Sequence, residues 1–254
     1  MRNLLAALDA STAARPVLET ALGIGQLMGA EVEAVHVRDG PLDTPRWLAD
    51  QYDVPLRMLQ GPVTASLLGA LADRDVIAAV FGARATPGGR RPVGGTALDV
   101  LQRADKPIVV VPPEAFGVSP RPFRRLLVPL EGSEQSSRPV LESLYPLIVG
   151  EIEVVVLHVF TKATVPQVLD RPERDLSLWG DEFLARFCPE AADLELRAGS
   201  VSGCVADVCG EQDLDLVVLS WSQDTSPGRA AVIRDVLGHS AIPVLLLPIR
   251  ADPE

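Results

Sequence analysis

Between Val80 and Leu101 the chain reads VFGARATPGGRRPVGGTALDVL. Gly82, Gly88, Gly89, Gly94 and Gly95 stand among Arg84, Arg90 and Arg91, between an apolar run and a helix-like pattern. These residue types can bind an anion. Backbone N–H groups at a helix start lack intrahelical partners and carry partial positive charge. Glycine lets a phosphate approach the backbone and tolerates φ > 0. Thr96 adds a hydroxyl donor, and the arginines would neutralise charge. A solvated surface loop explains the same residues, so both readings stand on composition alone.

Other tempting residues have plainer explanations. His36 and His158 lie inside apolar runs and read as satisfied core histidines rather than catalysts. No two histidines have metal-ligand spacing, and His239 falls near a helix end. GIGQLMG (23–29) follows a helical pattern instead of a strand and has the wrong spacing for a dinucleotide fingerprint, so it reads as helix termination or close packing. GSVSG (199–203) misplaces the serine of a nucleophile elbow and reads as a helix N-cap by Ser200 or Ser202. Trp47 and Tyr52, taken as part of a loop before the third strand, could cover a ligand or close a core, and the core is the preferred reading. Cys188, Cys204 and Cys209 lack zinc-pair spacing and read as reduced thiols, mostly core filler.

The net charge of −11 argues against nucleic acid or anionic lipid as general partners. The apolar runs are short and broken by charge, so no membrane span is expected. No basic stretch precedes an apolar one at the start, so no signal peptide is expected, and the reading is of a cytoplasmic protein.

The elements that would position the loop occur twice. LLAALDAS (4–11) matches LLVPLEGS (126–133), and His36 precedes His158 by the same 122 residues that separate Asp9 from Glu131. The offset grows to 138 at Gly61 and Gly199, then falls to 136 at the two DVL triplets, 99–101 and 235–237. Extra residues therefore enter the second copy between His158 and Gly199. There PERDLSLWGDEFLARF reads as an added amphipathic helix. Strand-like and helix-like runs alternate within each copy, which predicts an α/β fold with a parallel sheet and helices on both faces. Ligands in such sheets bind beyond the carboxyl ends of strands, where the glycine loop falls. The expected division is residues 1–114, a proline-rich linker 115–124, and residues 125–254.

On these motifs the chain resembles a tandem universal stress protein over nearly its whole length. That family's nucleotide loop reads G-x2-G-x9-G-[ST] after the fourth strand. Gly82, Ala85, Gly95 and Thr96 occupy those positions here, with alanine for the second glycine. Asp9 matches the family's acidic residue near the adenosine, where it would hold ribose, adenine-edge water or a metal; a cap on the following helix through Ser11 and Thr12 explains it equally, and Ala7 replaces a common proline. Val37 matches the strand-two position whose backbone contacts adenine. The resemblance implies an adenine-nucleotide site of Ala7, Asp9, Val37, Gly82, Arg84, Ala85, Gly95, Thr96 and Ala97, taking ATP with Mg²⁺ or another adenine nucleotide and containing no catalytic residue or metal ligand. It implies two open five-stranded sheets of the adenine nucleotide α-hydrolase-like kind, packed through their fifth strands as an intrachain pseudo-dimer. A further homodimer is left open.

In the second copy Glu131 stands for Asp9, Ser220 for Gly82, and Ala231 and Val232 for Gly95 and Thr96. Trp221 and Asp224 add bulk and negative charge. This copy is expected to bind no nucleotide and to serve a structural or partner-contacting role. The implied function is regulatory, in a stress response, through an unidentified protein partner. A nucleotide-independent scaffold and a slow ATP hydrolase are the alternatives.

Overall fold

The computed structural model describes residues 1–11, 13–38, 42–83, 94–112, 115, 123–132, 134–160, 172–187, 192–221 and 229–248. The first half runs β1 (Asn3–Ala7), α1 (Ala14–Met28), β2 (Glu31–Val37), α2 (Asp43–Gln51), β3 (Leu56–Leu59), α3 (Val63–Leu71), β4 (Val76–Gly82), α4 (Gly95–Leu101) and β5 (Ile108–Val111). The second half runs β6 (Arg125–Pro129), α5 (Glu134–Leu144), a 3₁₀ turn (Tyr145–Leu147), β7 (Glu153–Phe160), α6 (Pro172–Phe187), β8 (Asp193–Ala198), α7 (Val201–Glu211), β9 (Leu216–Trp221), α8 (Arg229–His239) and β10 (Val244–Pro248).

These strands form one sheet in the order β3-β2-β1-β4-β5-β10-β9-β6-β7-β8. Pairing is parallel within each half and antiparallel at the seam, where Val110, Val109 and Ile108 face Val244, Leu245 and Leu246. The fifth strands therefore pair as expected. IVVV and VLLL are apolar on both faces and leave an exposed edge unless each covers the other. Strand alternation sends Ala6, Val80, Val109 and Leu245 to one face, under α1, α5 and α6. It sends Leu5, Phe81, Val110 and Leu246 to the other face, with α4, α7 and α8. Both core clusters run continuously through the two halves.

The strand registers repeat from one half to the other residue by residue. Ala7 pairs with Val35 in the first half and Pro129 with Leu157 in the second, an offset of 122 on both strands. His36 pairs with Met58 and His158 with Leu196, so β8 trails β3 by 138. Gly82 pairs with Val111 and Ser220 with Leu247, which places Ser220 at the Gly82 position and returns the offset to 136.

The inserted residues do not add an element. α6 occupies the chain position of α2, between the second and third strands of its half, and has 16 residues against 9. The 43–51 segment is a helix rather than the expected loop. Pro45 sits in its first turn, where proline costs no hydrogen bond, and Pro45, Leu48 and Ala49 are its buried positions. That phase turns Trp47 outward to 53% exposure, contrary to the expected core role. Tyr52 is half-buried and donates to Glu19 Oε1 at 2.5 Å. GIGQLMG does end a helix. Gly29 caps α1 in the left-handed region at φ 58°, and a Cβ at Gly25 would lie 2.9 Å from Val32. Ser200 caps α7 by accepting the Gly203 N–H. Cys204 is buried, and burial pushes the half-buried Cys209 thiol up to about 11. Cys188 lies outside the described residues.

Candidate functional site

In the first half β1 stands between β2 and β4, and the chain leaves it toward β2 but returns across it to β4. This is the switch point at which open parallel sheets form a crevice. β1 pairs with β2 as far as Ala7 and with β4 as far as Ala6. The same registers carried two residues further set Asp9 level with Val37, and Leu8 level with Gly82.

Backbone alternation decides what Val37 offers. The Val35 carbonyl accepts the Leu8 N–H at 2.9 Å, toward β1, and the Arg38 N–H donates to Leu59 at 3.0 Å, toward β3. Val37 has the phase of Val35, so its N–H and C=O face the crevice beyond the end of β1. Its side chain is buried in the core, which leaves the backbone as its point of contact. Ala7 is half-buried at the end of β1.

Gly82 ends β4. Ala83 donates its N–H to Val111 at 2.8 Å, and its carbonyl accepts the Gly94 N–H at 2.8 Å. That bond brings the start of α4 back to the end of β4. Gly95 and Thr96 are exposed there, and a Cβ at Gly95 meets nothing within 4 Å. Ala97 is buried in the core, so its side chain packs inward. Arg84, Ala85, Gly88, Gly89, Arg90 and Arg91 lie outside the described residues.

Asp9 is exposed and already organises the turn into α1. Its Oδ1 accepts the Ser11 N–H at 2.9 Å and the Ser11 hydroxyl at 2.5 Å. Ser11 Oγ in turn accepts the Ala13 N–H at 3.2 Å. His36 braces the same segment from below, with Nδ1 2.8 Å from the Leu8 carbonyl. A carbonyl accepts, so Nδ1 carries the proton. His36 Nε2 is buried and has no partner among the described residues.

The second half keeps the brace and changes what lies over it. His158 Nδ1 donates to the Leu130 carbonyl at 3.0 Å, the equivalent bond. Beyond Glu131, Gly132 has φ 83°, and its N–H donates to the buried Ser137 hydroxyl at 3.0 Å. A Cβ on Gly132 would lie 2.8 Å from Phe183 Cε2 and 3.5 Å from His158 Cε1. Phe183 belongs to a ring cluster with His158, Phe160, Trp179 and Phe187, each successive pair of centroids being 4.9 to 5.0 Å apart. Burial holds the His158 imidazole below its usual range, and the Leu130 carbonyl partly offsets this. At the far strand end Ser220 replaces Gly82, while Ala231 is exposed and Val232 half-buried in α8. Asp224 lies outside the described residues. His239, in the last turn of α8, places Nδ1 2.6 Å from the Asp235 carbonyl.

Two features were not read from the sequence. The ring cluster had a signal, because Trp179, Phe183 and Phe187 repeat at four-residue spacing on one helix face. The other is a buried bond from the Trp221 indole N–H to the Leu101 carbonyl, 2.9 Å across 120 residues of chain, and no local pattern announces it. Among the described residues no cluster of three His, Cys, Asp or Glu side chains is placed to hold a metal ion. No described helix is long and apolar enough to cross a membrane.

Comparison with known proteins bears on the fold and the family. No curated protein matches the chain. A universal stress protein from Archaeoglobus fulgidus DSM 4304 superposes with a TM-score of 0.68 at 16% identity, covering 97% of this chain and 98% of that one. A functionally unknown protein from Pseudomonas aeruginosa PAO1 gives 0.68 at 12% identity, covering 98% and 92%. A universal stress protein in complex with cAMP matches 50% of this chain and 97% of its own, at 13% identity and a TM-score of 0.33. The model of the universal stress protein family matches residues 122–248, half of the 254 residues. The chain belongs to the universal stress protein family.

Proposed function

We propose that the first half binds an adenine nucleotide, ATP with Mg²⁺, that the second half does not, and that the protein is a cytoplasmic regulator in a stress response. One observation carries the reading. Asp9, the Val37 backbone, Gly82, Gly95 and Thr96 converge at the carboxyl ends of β1, β2 and β4 and the start of α4. In this reading the Val37 N–H and C=O address adenine, and Asp9 addresses the adenosine side. Gly82, Gly95 and Thr96, with Ala7 and Ala97 flanking and Arg84 and Ala85 on the loop, surround the phosphates. Mg²⁺ would be held by the phosphates, which supply the oxygen ligands it favours. Nucleotide would act by preferring one conformation or one partner-bound state.

Calorimetry with Mg-ATP tests the site. The wild type should give saturable heat, and Gly95→Glu, which projects into open space, should abolish it. No heat from the wild type, or equal heat from the variant, sinks the reading. ADP release no faster than blank ATP breakdown would exclude hydrolase activity. The Ser11 bonds of Asp9 favour a second reading, a nucleotide-independent scaffold in which Asp9 only shapes the turn.

A further inference from the structure

α4 is 7 residues long, and no side-chain hydrogen bond caps its start. So short a helix has little stability of its own and takes its position from its contacts. Leu101 is its last residue, so the Leu101 carbonyl lies beyond the final intrahelical bond. Trp221 fills that need from the opposite half, donating its indole N–H at 2.9 Å. The ring is 7% exposed and lies in one core cluster with Val100, Leu101, Ala104, Val236 and Leu237.

The contact runs one way. The registers place Trp221 where the first half has Ala83, one residue beyond the Ser220 and Gly82 pair. Ala83 has only a methyl group and no side-chain donor, so it cannot return the bond to α8. The strand end that lacks the loop glycine thus carries a donor aimed at the helix of the half that has one.

We infer that Trp221 is a positioning residue for the Gly95 and Thr96 part of the candidate nucleotide site, supplied by the half read as not binding nucleotide. This rests on the nucleotide reading given above. A short helix held at its last carbonyl by a directional bond and a packed ring has restricted tilt at its first residues, Gly95 and Thr96. A pre-positioned start loses less freedom when a ligand is taken up. The first site is then incomplete without the second half.

The test replaces Trp221 by Phe in the full chain, which keeps an aromatic ring and removes the N–H. Amide hydrogen exchange across α4, measured without nucleotide, should be faster in W221F than in the wild type. Calorimetry should show Mg-ATP binding weaker on the order of fivefold. Unchanged exchange, or a lower melting temperature with an unchanged Kd, overturns the assignment, because a merely structural role would leave affinity alone. Absence of ATP binding by the wild type brings down the nucleotide reading and this role together. Wild-type binding with an unaffected variant brings down this role only. Trp221→Tyr is measured in the same way if the Phe protein does not fold.

Discussion

At the ends of β1 and β2 the first half presents Asp9, a Val37 backbone turned to the crevice, and an exposed Arg38. At the equivalent ends of β6 and β7 the second half presents Glu131, Gly132 and the buried Phe160 ring. Phe183 of α6 approaches Gly132 closely enough to exclude a methyl group. Below this level the halves agree down to the histidine brace, His36 on Leu8 and His158 on Leu130. The difference lies in the connections above the sheet and at the end of β9, where Ser220 and Trp221 stand at the Gly82 and Ala83 positions. A duplicated sheet can keep its strands while one copy packs side chains over its strand ends. The longer α6 is the means, since its 16 residues bring aromatic rings over β7 where the 9 residues of α2 leave Trp47 in solvent.

The largest test of that contrast compares the two helices. Phe183→Ala should cost about 3 to 5 kcal/mol in urea unfolding of the full chain, because a buried ring in a cluster is removed. Trp47→Ala removes a ring that is 53% exposed and touched by the Arg15 guanidinium at 5.2 Å, and should cost about 0.5 kcal/mol. Similar losses from the two substitutions would break the comparison. Because both core clusters span the seam, the destabilised protein should still unfold in a single transition.

A smaller effect is expected from the glycines. Gly132→Ala meets both a positive φ and the Phe183 ring, and should cost about 1 to 3 kcal/mol. Gly95→Ala enters open space at the first residue of α4 and should stay within about 0.5 kcal/mol of the wild type. In a Phe183→Ala background the cost of Gly132→Ala should shrink, because the obstructing ring is gone and only backbone strain remains. An unchanged cost would show that the ring does not fill the space above Gly132.

The sequence made the architecture legible because duplication writes each element twice. The offsets of 122, 138 and 136 are those of the strand registers, and the apolar runs that became β5 and β10 pair at the seam. α2 escaped notice because DTPRWLADQ is short, polar on one side and carries Pro45, which reads as a breaker outside its first-turn context. Trp221 escaped because its partner is a backbone carbonyl 120 residues away, and tertiary contacts of that kind leave no periodicity. The candidate site stood between these cases. Val37 and Gly82 end strands that the pattern marks, and Asp9 follows β1 by two residues, so their level followed from register. The engagement of Asp9 by Ser11 is the helix-start role that the sequence offered beside the nucleotide role.

The smallest expected effect uses the brace that the halves share. Burial under the α6 rings holds His158 neutral in the folded chain, with its pKa below the ordinary 6.5. The unfolded chain takes up that proton as pH falls below about 6.5, while the folded chain resists it. The unfolded state then binds more protons, so stability falls with pH, from about 6.5 down through the depressed folded value. Above that window the contribution is constant. His158→Gln removes the titrating group while keeping a side-chain donor for the Leu130 carbonyl. Urea midpoints of the wild type should therefore decline more steeply than those of the variant between about pH 7 and pH 5. The comparison is read within that range because the chain carries 34 acidic residues, whose own titration dominates at lower pH. Parallel slopes would mean that the rings over His158 do not desolvate it, and the second half would then be more open than its packing implies.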